Sequence, residues 1–247
     1  MSNLKNTSKE IYGSKARLGF ILPSLNVTAE PEFNRMTPSG ISIHVTRVPF
    51  RSGTVEELER MNTELEDAAA LLATAKVNVI VYACTTGSLF KGLGWDTEII
   101  RRIEMESGIP ATTTSTAVVQ AFKTLGVEKI VVATPYSDTL NIKEKEFLEA
   151  HGIRVLNIKG LGFIEGEDLH TQPPTITYNL ARKVNLPNAE AVFISCTDFK
   201  SISVIAKLES ELKKPVVSSN TATMWAALRK VGYKGAISGY GRLLSKI

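Results

Sequence analysis

A chain of 247 residues with 43% hydrophobic and 22% charged residues has the composition of an ordinary globular protein, and is long enough for one large domain or two half-sized lobes. The net charge of +4 is modest and the Lys and Arg are dispersed, with no basic run interleaved with aromatics, which argues against nucleic acid as a partner. No apolar stretch reaches about 18 residues, and Met1 to Lys15 is polar without the apolar centre of a signal peptide, so the expected location is the cytoplasm, with no membrane partner and both cysteines reduced.

In chain order, residues 1–16 read as a polar leader. Arg17 to Leu22 is a strand stopped by Pro23; Pro23-Ser24-Leu25-Asn26 is a loop, and Val27 to Met36 a short helix. Ile41 to Arg47 alternates as a strand does. Thr54 to Ala75 is the clearest helix, opened by a Thr54/Glu57 capping box and carrying Val55, Leu58, Met61, Leu65, Ala68 and Leu72 on one face. Val77 to Ala83 is a β-branched strand that ends on Cys84, followed at once by Thr85, Thr86, Gly87 and Ser88. A helix over Trp95–Ser107, a short strand over Gly108–Thr113 and a helix over Ser115–Leu125 complete the first half.

The second half repeats this grammar. Lys129 to Thr134 is a strand stopped by Pro135, Thr139 to His151 a helix, and Gly152 to Ile158 a strand. Pro174 to Val184 is a helix, and Ala191 to Ser195 a strand ending on Cys196 and Thr197. Ile202 to Leu212 (helix), Pro215 to Ser218 (strand) and Thr221 to Val231 (helix) follow, and the tail from Gly235 returns as a strand and loop. Pro23 and Pro135 are 112 residues apart, and so are Cys84 and Cys196; Ile109–Ala117 matches Lys214–Ala222 at an offset of 105. Alternating strands and helices with such a repeat predict an α/β protein of two pseudo-symmetric lobes, each a mostly parallel sheet flanked by helices, with the site in the cleft between them. The expected division is residues 17–120, completed by about 225–247, and residues 121–224.

Ligands of open parallel sheets bind at the carboxyl ends of the strands. The loops Pro23–Asn26, Cys84–Ser88, Pro135–Asn141 and Cys196–Phe199 therefore converge, with one thiol on each side. A following helix N-terminus would lower a thiol's pKa, and its N–H groups, with the hydroxyls of Thr85, Thr86 and Thr197, suit a carboxylate. The plainer readings are that both cysteines are small buried hydrophobes or, less readily in a cytosolic chain, a disulfide. Asn26 donates to a substrate carboxylate or caps a turn, and Tyr136 donates a hydrogen bond or packs. Asp198 orients a proton acceptor or, the better reading, caps the helix that follows it. His44, His151 and His170 are scattered, so no Ser-His-Asp or histidine metal site is expected, and Gly160–Gly166 misses a dinucleotide fingerprint by one residue.

The strand ends Leu22-Pro23-Ser24-Leu25-Asn26-Val27-Thr28, Tyr82-Ala83-Cys84, Ala133-Thr134-Pro135-Tyr136, Ile194-Ser195-Cys196 and Pro215-Val216-Val217-Ser218-Ser219 carry a resemblance. From Arg17 to Leu244 the chain resembles the aspartate/glutamate racemase superfamily, in its maleate cis-trans isomerase and arylmalonate decarboxylase branch. The resemblance implies an enzyme without cofactor or metal, a small dicarboxylate or carboxylic acid as its partner, and a homodimer or homotetramer. As in the isomerases, Cys84 would be the nucleophile and Cys196 the proton handler, with Asn26 and Tyr136 gripping the substrate. Thr113–Val118 and Gly239–Leu244 look more like the decarboxylases, which have glycine where this chain has Cys84. The isomerases carry a substrate-binding Asn in the loop where this chain has Gly166. Three functions are thus expected in descending order. The first is a cis-trans isomerase of maleate or a related unsaturated dicarboxylate. The second is a two-cysteine racemase or a decarboxylase working through an enediolate, and the third a non-catalytic carboxylate-binding module.

Overall fold

The structure, a computed structural model, describes residues 12–247. Most of the polar leader therefore lies outside the described residues. The first sheet is built from β1 (Ala16–Pro23), β2 (Ile41–Val48), β3 (Val79–Tyr82) and β4 (Ala111–Thr113), in the order β2-β1-β3-β4. The second is built from β5 (Lys129–Thr134), β6 (Arg154–Gly160), β7 (Ala191–Ile194) and β8 (Val216–Ser218), in the order β6-β5-β7-β8. Every pairing is parallel. The central strands are almost wholly buried, as helix-covered parallel strands require, which is why they read as near-continuous apolar runs.

Helices cover both sheets: α1 (Ala29–Met36), α2 (Val55–Met61), α3 (Leu65–Thr74), α4 (Thr85–Leu89), α5 (Trp95–Ser107) and α6 (Thr114–Leu125) in the first half. The second half has α7 (Asp138–Ala150), α8 (Gly166–His170), α9 (Pro174–Val184), α10 (Ile202–Leu212) and α11 (Ser219–Lys230). The repeat shows in the caps. Thr113 at the start of α6 accepts from the Thr116 N–H, and Ser218 at the start of α11 accepts from the Thr221 N–H, at the offset of 105 seen in the sequence. These two helices pack on one another, and α11 also packs on α1, so the last helix turns back to the first half. Phe20 stacked on Phe33, Phe122 edge-on to Phe193, and the fully buried Trp225 belong to the apolar core that joins the two halves.

Two expectations are corrected. The helix expected over residues 54–75 is broken by a 3-10 turn at Asn62–Glu64. Asn62 explains it: its amide donates to the Leu58 carbonyl and its Oδ1 accepts from the Tyr82 hydroxyl, so the side chain competes with the helix ladder. The tail forms no strand. Gly239 and Gly241 take φ of 91° and 90°, turning the chain so that Leu243 and Leu244 enter the core. No helix among the described residues is long and apolar enough to cross a membrane.

Candidate active site

β3 delivers Cys84 to the carboxyl edge of the first sheet, where it caps α4. Its Sγ accepts from the Gly87 N–H at 3.3 Å and lies 3.8 Å from the Thr86 hydroxyl. Residue 87 must be glycine for this approach, because a Cβ there would stand 2.6 Å from the Tyr82 hydroxyl and 3.0 Å from the Cys84 sulfur. The first N–H groups of α4, on Thr85 and Thr86, have no acceptor within the helix. The Thr85 hydroxyl donates to Ser219 in the other half at 2.9 Å.

β7 delivers Cys196 to the matching edge of the second sheet. Its φ of +93° is rare for a residue with a side chain and is a strain of the kind found at functional sites. The Cys196 N–H donates to the Ser219 hydroxyl and the Asp198 N–H donates to its sulfur. Cys84 is buried and Cys196 is half-buried; no disulfide joins them.

The lowered thiol pKa expected from a helix N-terminus is not found. Burial pushes the Cys84 thiol up to about 11, against the Gly87 N–H and the Thr86 hydroxyl, which favour the thiolate. For Cys196, burial and then the Asp198 carboxylate push it up, opposed by the Asp198 N–H and the Tyr136 hydroxyl. The physical reason is that α4 has five residues, too short for its dipole to offset the loss of water around the sulfur. Burial thus favours the protonated form of both thiols.

The loop after β1 locks onto the second half. Asn26 is 1% exposed; its Oδ1 accepts from the N–H groups of Thr28 and Ala29, and its Nδ2 donates to the Thr197 hydroxyl at 3.0 Å. Capping and presentation to the cleft thus coexist in one amide, which keeps a second N–H free to donate. Asp198 does not cap the helix that follows it. It accepts from the N–H groups of Val27 and Thr28, ahead of α1, and from His170 Nε2 at 3.0 Å. The start of α10 is served instead by Glu32 of α1, which accepts from the N–H groups of Ser201 and Ile202, the Ser201 hydroxyl and the Asn220 amide. Each half thus places a buried carboxylate on the other half's helix start. Burial raises the pKa of both carboxyls.

Glu32, His170, Ser219 and Asn220 were not singled out from the sequence. All four act across more than 20 residues of separation, for which no local spacing is a signal. Ser219 and Asn220 do lie in the Ser218–Thr221 stretch that repeats residues 113–116. The other two histidines stay away from the site: His44 pairs with Ser42, and His151 with the Phe147 carbonyl. No group of three His, Cys, Asp or Glu among the described residues could hold a metal ion.

Pro23, Asn26, Cys84, Thr85, Thr86, Tyr136, Cys196, Thr197 and Asp198, all singled out from the sequence, line one cleft. The space among these residues, open solvent included, is about 620 Å³. Leu25, Phe50, Leu140, Phe163, Ile164 and Leu169 complete the wall. At the mouth, residues 50–53 and 163–166 approach each other, joined by the Gly53 N–H to the Ile164 carbonyl at 2.9 Å and by an isolated antiparallel bridge between Ser52 and Glu165.

The model of the arylmalonate decarboxylase family matches residues 18–244. The chain belongs to that family. Within it, the chain is 28% identical to a maleate isomerase of Geobacillus stearothermophilus, over 93% of this chain and 97% of that one. It is 25% identical to the arylmalonate decarboxylase of Bordetella bronchiseptica, over 94% and 98%. Among solved structures of the family, a cysteine-to-serine variant of the Nocardia farcinica maleate cis-trans isomerase, holding a covalently bound succinylcysteine intermediate, superposes with a TM-score of 0.89. That match has 26% identity and covers 93% of this chain and 98% of the other. The chain is thus an enzyme of the arylmalonate decarboxylase family, and its relatives act on small carboxylates.

Proposed function

We propose that this protein is a cofactor-independent cis-trans isomerase of maleate or a related small unsaturated acid. The observation that carries the reading is the pair of thiols at equivalent strand ends of two repeated sheets, both lining one cleft. As the Cys84 sulfur bonds to one alkene carbon, its S–H bond breaks and the π pair moves onto the neighbouring carbon and its carboxylate. The unbonded N–H groups of Thr85 and Thr86, the Thr86 hydroxyl and the free N–H of Asn26 stabilise that developing charge. Cys196 hands a proton to the carbon and takes up the one released by Cys84, leaving a saturated thioether that rotates freely. Reversal of the steps after rotation expels Cys84 and gives the trans acid. A succinylcysteine in the Nocardia enzyme supports such an adduct.

Conversion of maleate to fumarate, followed by proton NMR, tests the reading, and loss of turnover in Cys84→Ala ties it to the thiol. No isomerisation of any cis-unsaturated acid refutes it. A second reading, a racemase or decarboxylase passing through the same enediolate, is favoured by the family's decarboxylase members. It predicts solvent deuterium at the α-carbon of a chiral or malonate substrate. The same proposal divides the chain at residues 17–120 with 225–247, and 121–224; the packing of α11 on α6 and α1 supports it.

A further inference from the structure

The two thiol-bearing strand ends repeat in sequence but not in backbone. Cys84 is extended, with φ of −137°. Cys196 takes φ of +93°, a conformation that strains a residue with a Cβ and lasts only where its neighbours over-determine it. The neighbour that does so is Ser219, the first residue of α11, whose side chain is wholly buried. Its hydroxyl oxygen accepts from the Cys196 N–H at 3.0 Å and from the Thr85 hydroxyl at 2.9 Å. Taking that oxygen away leaves the Cys196 N–H to find another acceptor by turning the backbone. Symmetry alone does not produce the contact. The residue equivalent to Ser219 is Thr114, at the offset of 105, and its hydroxyl pairs with Thr223.

Thr85 directly follows Cys84, so Ser219 joins the backbone of one thiol to the neighbour of the other. A second bridge runs beside it: the Thr197 hydroxyl donates to the Ala83 carbonyl at 3.2 Å and accepts from the Asn26 amide at 3.0 Å. The residues on both sides of Cys84 are thus tied to Cys196 and to the residue after it. Of the two bridges, only the one through Ser219 grips the Cys196 backbone itself. Ser219 is not among the residues that line the cleft, so replacing it changes no side chain of the wall. A displacement of a reacting group by about 1 Å can lower a rate about 100-fold.

We infer that Ser219 is a positioning residue, whose hydroxyl holds Cys196 in its positive-φ conformation and so fixes the second thiol relative to Cys84. The inference rests on the two-thiol isomerase reading for the use made of that placement, and its first test needs no turnover. Melting temperatures of Cys196→Gly and Cys196→Ala are compared, each with Ser219 and with Ser219→Ala. Both substitutions at 196 remove the sulfur, and with it the bond from the Asp198 N–H, alike. Glycine suits a positive φ and alanine does not. Cys196→Gly is therefore expected to melt at least about 2 °C above Cys196→Ala while Ser219 holds the strain, and to lose that advantage in Ser219→Ala. No advantage with Ser219, or the same advantage in Ser219→Ala, overturns the inference. Should Ser219→Ala fail to fold, Ser219→Cys, with a weaker acceptor, takes its place in the same comparison. In the second test, Ser219→Ala is expected to lower kcat for maleate about 100-fold with KM changed by less than about threefold. An unchanged kcat, or a loss confined to KM, overturns the inference. If the parent turns over no cis-unsaturated acid, the isomerase reading fails, and the melting comparison alone decides the role of Ser219.

Discussion

Glu144 makes the sharpest stability prediction. It lies on α7 with no solvent exposure; its Oε1 accepts from the Ser195 hydroxyl, next to Cys196, and its Oε2 has no partner among the described residues. It lines a small void with Phe147, Leu148, Phe193, Leu89, Val118, Thr85 and Ser115. Burial pushes the carboxyl up to about 8 from an ordinary 4.5, against the Ser195 hydroxyl. Between these values the folded protein holds a proton that the unfolded chain has released. Stability must therefore fall as pH rises through this window, and the loss is complete above about 8. A gap of about 3.5 units at about 1.4 kcal/mol each gives roughly 5 kcal/mol. Glu144→Gln keeps an acceptor for Ser195 and cannot ionise, so its stability relative to the parent should rise by up to that amount between pH 5 and 8. Urea denaturation of both proteins in half-unit pH steps reads the difference, in which Glu32 and Asp198 cancel. A difference that does not change with pH refutes the reasoning.

The thiols give a second prediction. With Cys84 raised to about 11, its alkylation in the free enzyme should climb about tenfold per pH unit from 7 to 10, read by mass spectrometry of the labelled peptide; a plateau near neutrality contradicts it. Asp198→Asn removes a charge that raises the Cys196 pKa, so Cys196 should alkylate faster in that variant at fixed pH. Cys84→Ser should lower isomerisation by at least about 10⁴-fold with a little-changed melting temperature. Asn26→Ala should cost about 1–2 kcal/mol through the lost cap, whereas Asn26→Asp keeps the Oδ1 acceptor and most of that stability yet loses activity, because it sets a carboxylate beside the substrate's. Equal activity of the parent and Asn26→Asp would remove Asn26 from substrate binding.

The architecture was legible because parallel strands buried on both faces write themselves as apolar runs, and because the chain writes its pattern twice. Pro23 and Pro135, Cys84 and Cys196, and the capped starts at Thr113 and Ser218 mark equivalent strand ends, and those ends are where the cleft lies. The break at Asn62 was hidden because the apolar face of α2 and α3 continues in phase across it, and only the distant Tyr82 hydroxyl shows what the side chain does. The local pattern makes Asp198 a cap of the next helix, whereas its Oδ1 is satisfied 170 residues away and its Oδ2 by His170. A helix start following Cys84 is visible in the sequence; how deeply β3 buries the thiol is a property of packing, which no stretch of sequence displays.

The crossed carboxylates bear on how anything enters this molecule. Drawing the two halves apart would strip Asp198 from the Val27 and Thr28 N–H groups ahead of α1 and Glu32 from the start of α10 together, leaving Glu32 and the α10 start without these partners while Asp198 keeps His170 and α1 keeps Asn26. A clamshell opening carries that cost, and the mouth of the cleft is the other way in. There residues 50–53 and 163–166 are tied to each other by the Gly53 N–H on the Ile164 carbonyl, within the Ser52–Glu165 bridge, and to the body by Phe50 on Ser24, Arg51 on Glu57 and Phe163 on the Pro135 carbonyl. Entry past the mouth would have to part that one bridge between the two segments.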